Sequence, residues 1–192
     1  MASSKKIFLI DGSAFLYRAF HAIRSLNTAK GHPTNATFGF ARILLKLLKD
    51  HSPEYAAVLF DVKGPTFRHK LYDQYKANRP PMPEELAAQI PDIKRMIRAF
   101  NIPVVEKPGF EADDLVGTYA RLAQEQGFHV VMVTGDKDFI QLVTDTCILW
   151  DPMKDTITDT RTIKEDMGIE PTQFIDVLGL AGDNSDNIPG VQ

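Results

Sequence analysis

The chain has 192 residues, 44% of them hydrophobic and 24% charged, a composition that suits one folded domain and excludes wholesale disorder. The single cysteine, Cys147, rules out an internal disulfide and leaves no thiolate set for a structural metal. No apolar run approaches the ~20 residues that cross a bilayer, and Ile7–Ile10, cut off by Asp11, is too short for a signal-peptide core. A cytoplasmic protein without membrane attachment is expected.

In chain order, "KKIFLID" (5–11) reads as a short strand that ends in an acid. "SAFLYRAFHAIRSL" (13–26) and "TFGFARILLKLLKDH" (37–51) space their apolar residues at helical period, with the loop "NTAKGHPTN" (27–35) between them. "YAAVLFD" (55–61) is a second strand, again closing on Asp, and "VKGPTFRHKLYDQYKANRPPMP" (62–83) is irregular and basic. The helix expected over 84–101 contains Pro91, which must kink it or split it in two. A strand over 102–108 and a helix over 111–127, closed by Gly127, come next. Then follow a strand (128–135), a short helix (136–143), a strand (147–151) and two short helical segments near 161–167 and 171–181, before "GDNSDNIPGVQ". Strands alternating with helices predict an α/β fold with a mostly parallel sheet flanked by helices.

In such sheets, ligands bind beyond the carboxyl ends of the strands. Asp11, Asp61 and Asp136 lie at or just after strand ends, while Glu111, Asp113 and Asp114 open the helix after another strand. For the three acids of "GFEADDLVG" alone, helix capping is the simpler explanation. Capping does not explain four acidic segments gathered at one rim. With Asp138, and with Asp183 and Asp186 spaced i,i+3 in "GDNSDN", the rim holds nine acids. They cannot all stay ionised without compensating charge, and hard divalent cations with oxygen ligands supply it. Mg²⁺ takes only one or two carboxylates directly, so the surplus implies two or more ions of Mg²⁺ (or Mn²⁺), with some acids acting through water. Two ions roughly 3.5–4 Å apart stabilise the attacking and leaving oxygens of an in-line phosphoryl displacement.

Other chemistries find no support. "GDNSDNIPG" has Ile188 where a calcium loop needs Gly, and the five histidines show no H-x-x-x-H spacing or cysteine partner. No G-x-x-x-x-G-K-[ST] loop, G-x-G-x-x-G turn or G-x-S-x-G elbow is present. Ser13 is expected to N-cap the first helix. Charge is divided between the halves: residues 1–79 carry a net +8 and residues 80–192 a net −11, for a total of −3. A basic surface facing a polyanion and an acidic focus needing cations fit that division. In the basic stretch Lys63, Arg68, Lys70, Lys76 and Arg79 alternate with Phe67, Tyr72 and Tyr75. Cations there can neutralise phosphates and aromatics can stack on unpaired bases, with Tyr72 expected in the core.

"LIDGSAFLYRAFHA", "FDVKGPTFRHKLYDQYKANRPPMP", "GFEADDLVGTYA", "VTGDKDFIQLV" and "GDNSDNIPGV" occur in order. Together they resemble the 5′→3′ nuclease domain of bacterial DNA polymerase I, in the flap endonuclease superfamily. The resemblance implies a PIN-like fold and a divalent-metal nuclease acting on DNA with a 5′ flap, nick or RNA primer. It implies that Asp11, Asp61, Glu111, Asp113, Asp114, Asp136, Asp138, Asp183 and Asp186 are the metal-binding acids. Lys76 and Arg79 match arch residues that act on the scissile phosphate, with Tyr75 beside them. Arg18 and Arg68 fit positions that contact DNA phosphates, and Lys70 adds charge to the same segment. By this resemblance residues 1–178 are the nuclease core, with 62–83 as the arch. Residues 179–192 are the start of a truncated helix-hairpin clamp, expected to hold Asp183 and Asp186 only loosely. A monomer is expected, as a piece of a longer polymerase or nuclease. A PIN-type ribonuclease and a non-catalytic binder of DNA structures are the alternatives.

Overall fold

The computed structural model describes residues 5–191; residues 1–4 and Gln192 lie outside the described residues. Six strands form one sheet: β1 (Lys6–Asp11), β2 (Tyr55–Phe60), β3 (Val104–Glu106), β4 (His129–Val133), β5 (Cys147–Asp151) and β6 (Thr156–Thr158). Their spatial order is β3-β2-β1-β4-β5-β6; the first five are parallel and β6 pairs antiparallel with β5. The helices are α1 (Gly12–Ala22), α2 (Asn35–His51), α3 (Phe67–Leu71), α4 (Glu84–Ala87), α5 (Ile90–Ala99), α6 (Ala112–Glu125), α7 (Thr160–Met167) and α8 (Phe174–Ala181).

The central strands β1, β2, β4 and β5 are apolar on both faces, as a sheet covered on both sides requires. Phe8, Ile10, Val58, Phe60, Val131, Val133 and Trp150 point into one layer, against Phe15, Leu16, Phe40, Leu44, Leu47, Leu86, Ile93 and Ile97 of α1, α2, α4 and α5. The alternate residues Leu9, Leu59, Val130, Met132 and Leu149 face Leu115, Val116, Ala120 and Ala123 of α6 and Ile163 of α7. Each such side chain, fully buried, contributes ~1.5–3 kcal/mol before chain entropy is set against it. Helices α1 and α2 pack so closely that a Cβ at Gly39 would stand 2.7 Å from the Ala19 Cβ.

From β1 the chain steps outward to β2 and β3, and α6 then carries it back to β4 on the other side of β1. Strand order therefore reverses between β1 and β4, and a crevice opens there at the strands' carboxyl ends.

Several boundaries differ from expectation. Pro91 breaks the 84–101 helix into α4 and α5 and takes a first-turn position of α5, where its missing N–H costs nothing. The 102–108 strand shortens to Val104–Glu106, and the 171–181 helix starts with a 3-10 turn, Pro171–Gln173. Edge strand β6 was not expected: it is three residues long, largely exposed and has no buried apolar run to announce it. Tyr72 is exposed, while Tyr75 is the buried ring, at 6% exposure.

Candidate active site

Asp11 closes β1 and caps α1. Its Oδ1 accepts the Ala14 N–H at 2.9 Å and its Oδ2 accepts the Thr134 hydroxyl at 3.1 Å, with only 2% of the residue exposed. Asp11 thus takes the capping place expected of Ser13, whose Oγ instead accepts the Asp61 N–H at 2.8 Å. Asp61 Oδ1 in turn accepts the Ala112 N–H at the start of α6, at 2.6 Å. Thr134 Oγ1 also accepts the Asp136 N–H at 3.1 Å, and Asp136 caps the 3-10 helix Lys137–Leu142 by accepting the Asp138 N–H at 3.0 Å. Ser13 and Thr134 are therefore the fasteners between acids from different strands. The only sequence signal for either is a small hydroxyl two positions from a strand-end Asp.

At the start of α6, Glu111 and Asp114 form a reciprocal capping box, so capping and cleft building coexist in one motif. Glu111 Oε2 accepts the Tyr75 hydroxyl at 2.9 Å and Lys76 Nζ at 2.8 Å. Asp114 turns aside: both its oxygens are held by Arg68, at 2.9 and 2.8 Å, and it accepts the Glu111 N–H at 2.9 Å. The other eight acids, Asp11, Asp61, Glu111, Asp113, Asp136, Asp138, Asp183 and Asp186, line one cleft, faced by Lys76 and Arg79.

Burial and crowding show in the ionisation of this cleft. Burial, then the charges of Asp11, Asp136 and Asp61, push the Asp113 carboxyl up to about 8. Burial raises Asp11 to about 7, with Asp61 and Asp136 adding to the effect, and raises Asp138 to about 6, helped by Asp136. For Asp114 burial acts upward but is outweighed by Arg68 and the Glu111 N–H, which hold it below the usual carboxylate range. Asp183 behaves alike: burial opposes, but the Ser185 hydroxyl and N–H win and lower it.

The donor set is all oxygen, and Asp138 Oδ1 is buried without a hydrogen-bond partner among the described residues. Both features fit hard divalent cations. Among the described residues, however, no three acids stand in a preassembled ion cage. Glu111 and Asp186 are neutralised by the arch instead: Lys76 Nζ lies 3.8 Å from Asp186 Oδ2, and Arg79 Nη2 donates to Asp186 Oδ1 at 2.5 Å.

The segment carrying Asp183 and Asp186, expected to be loosely held, is clasped by the arch. The Lys76 N–H donates to the Asp186 carbonyl at 3.0 Å, Asn78 Nδ2 to that of Asn184 at 2.8 Å and Arg79 Nε to that of Ser185 at 3.0 Å. Asn187 Nδ2 returns a bond to the Gln74 carbonyl at 2.7 Å. Lys76 adopts φ +56°, a left-handed conformation uncommon outside glycine, to aim its N–H this way. Of the residues expected to touch DNA, Lys70 is exposed, whereas Tyr75 is buried against Glu111 and offers no free ring. Arg18 is paired with Asp151 at 3.2 and 3.0 Å, in space that only glycine at 135 leaves open.

A doubly wound sheet whose switch point is walled by carboxylates and faced by a Lys–Arg pair defines an α/β domain with a cation-seeking cleft. Within that class the chain belongs to the family described as "5'-3' exonuclease, N-terminal resolvase-like domain", matched over residues 6–168. A protein of Aquifex aeolicus named 5'-3' exonuclease is 43% identical over 189 residues, covering 98% of this chain and 65% of its own length. A DNA polymerase I of Chloroflexus aurantiacus is 47% identical over 195 residues, covering 97% of this chain and 21% of its own. The chain thus spans under two-thirds of the first and about a fifth of the second. Among solved structures, the bacteriophage T5 D15 flap endonuclease, in a complex with DNA and metal ions, aligns at a TM-score of 0.80 with 22% identity, covering 98% of this chain and 70% of that one. The T5 5'-exonuclease with bound zinc aligns at 0.78 with 24% identity and the same coverage. At these identities the two structures establish the shared fold.

Proposed function

We propose that this chain hydrolyses phosphodiester bonds of DNA as a divalent-metal-dependent 5′→3′ exonuclease and 5′-flap endonuclease, removing flaps and RNA primers in replication and repair. One observation carries the reading: eight carboxylates from separate segments line one cleft, with Lys76 and Arg79 facing them. The names of the relatives, and the metal ions and DNA in the titles of the structural neighbours, support it.

Asp11, Asp113, Asp136, Asp138, Asp183 and Asp186 would hold two or more Mg²⁺ or Mn²⁺ ions, with Asp61 and Glu111 acting through water. Such ions supply charge stabilisation at the reacting oxygens and a more acidic attacking water. The chain's own residues do the rest. Lys76 and Arg79 exchange their carboxylate partners for the scissile phosphate, where developing charge rewards a fixed cation. Lys70 neutralises a flanking phosphate, Arg18 does so on releasing Asp151, and Arg68 ties α3 to α6 through Asp114. We place the protein in the cytoplasm as a monomer, with a polymerase region in the longer protein, as the names of several relatives suggest.

Cleavage of a 5′-flap DNA in Mg²⁺, Ca²⁺ and EDTA tests this. Mg²⁺ should support turnover, Ca²⁺ should support binding with little turnover, and EDTA should abolish cleavage. Flap binding with no Mg²⁺-dependent cleavage would leave only a structure-specific binder. Preference for single-stranded RNA lacking a junction would make the protein a ribonuclease.

A further inference from the structure

Next to the cleft wall, two phenylalanines outside both core layers are partly exposed. Phe67 opens α3 and is 40% exposed; Phe110 immediately precedes Glu111 and is 37% exposed. Their ring centroids lie 6.0 Å apart at 53°. The backbone fixes the pair, since the Phe67 N–H donates to the Gly109 carbonyl at 3.2 Å and Gly109 takes φ +85° to present it. A cation covers one face of each ring and leaves the other for a ligand. The Arg68 guanidinium is 4.6 Å from the Phe67 centroid, Lys107 Nζ is 4.7 Å from that of Phe110, and Lys70 is exposed on the same helix as Phe67.

We propose that Phe67 and Phe110 form a stacking platform for unpaired nucleobases of the strand whose phosphates enter the acid cleft. The proposal rests on the nucleic-acid reading of that cleft. Rigid aromatic faces interleaved with Lys and Arg are how proteins hold single strands without reading their sequence, the rings taking bases and the cations taking phosphates. Phe110 and Phe67 each adjoin in sequence a residue of the cleft wall or its support, Glu111 and Arg68. A strand lying on the rings therefore rests beside the chain segments that carry Glu111 and Arg68.

Flap DNAs with a short 5′ tail of thymidines, or the same tail built from abasic spacers, separate stacking from charge. In Ca²⁺ the parent protein should bind the base-bearing tail about tenfold tighter, within the range of base–aromatic stacking. Phe67→Ala with Phe110→Ala should erase that difference and leave affinity for a tail-free nicked duplex unchanged. Phe67→Trp should retain the preference, and its fluorescence should be quenched by the thymidine tail and not by the abasic one. A parent that does not distinguish the tails, or a double alanine variant that still does, overturns the platform while leaving the nuclease reading standing. A parent that binds neither flap overturns both.

Discussion

At Asp113, burial and three neighbouring carboxylates act in the same direction, so removing its charge should have two opposite consequences. Asp113→Asn should lower flap cleavage at least about a hundredfold, the scale of losing one preorganised electrostatic contact. Above about pH 8, where the carboxyl is charged, the same change should raise the melting temperature in EDTA by ~2–4 °C, if the relieved repulsion amounts to ~1 kcal/mol in a domain of this size. Thermal unfolding beside single-turnover kinetics checks both; a lower melting temperature would show that the charged carboxylate is not strained. In the arch, Lys76 and Arg68 should separate. Lys76→Ala should lower the single-turnover rate more than DNA affinity, because its ammonium is aimed into the cleft. Arg68→Ala should cost ~1–3 kcal/mol of stability, because it leaves Asp114 without its forked partner. Equal losses of affinity, with stability unchanged in both, would reduce the two residues to tethers.

Two contacts decide whether the elements hold the site. The clasp between 74–79 and 184–187 consists largely of side-chain amides and a guanidinium on backbone carbonyls, so it can be loosened without touching an acid. Asn78→Ala should leave the melting temperature within ~1–2 °C, since surface changes of this kind are worth about ±0.5 kcal/mol. The divalent-ion concentration for half-maximal cleavage should rise, because Asp183 and Asp186 lose their support. An unchanged ion titration would show that the clasp is incidental. On the opposite layer, Gly39→Ala pushes a methyl group against Ala19 at 2.7 Å and Ile23 at 2.9 Å. Such overpacking should cost ~1–3 kcal/mol, read as a lower melting temperature, with the cleft chemistry intact per folded molecule.

For the whole molecule the raised carboxyls become a pH dependence. Asp11 and Asp113 titrate near 7 and 8 when folded and near ~3.9 when unfolded, so between those values the folded state binds more protons. Their contribution is fully present below about pH 4 and is lost as pH rises towards 8. In EDTA the melting temperature should therefore fall between pH 6 and about 8.5. Mg²⁺ or Mn²⁺ should recover most at the high end, where ligands are already deprotonated. A melting temperature in EDTA that rises over this window would contradict the raised carboxyls of Asp11 and Asp113.

Much of this was legible in the chain itself. The α/β alternation, the acids at the ends of "KKIFLID" and "YAAVLFD", the break at Pro91 and the capping acids of "GFEADDLVG" follow from local physics. Short continuous apolar runs, a missing N–H and free helix N-termini act over a few residues. Partner choice does not. That Asp11 rather than Ser13 caps α1, that Asp114 turns to Arg68 while Asp113 faces the cleft, and that Tyr75 rather than Tyr72 is buried depend on what crosses from other elements. The clasp on Asp186 joins residues more than one hundred positions apart. The sequence by itself determined which charges had to meet at the rim; only the tertiary structure decided which cation each one meets, because distances between elements are set by packing and no local pattern encodes them.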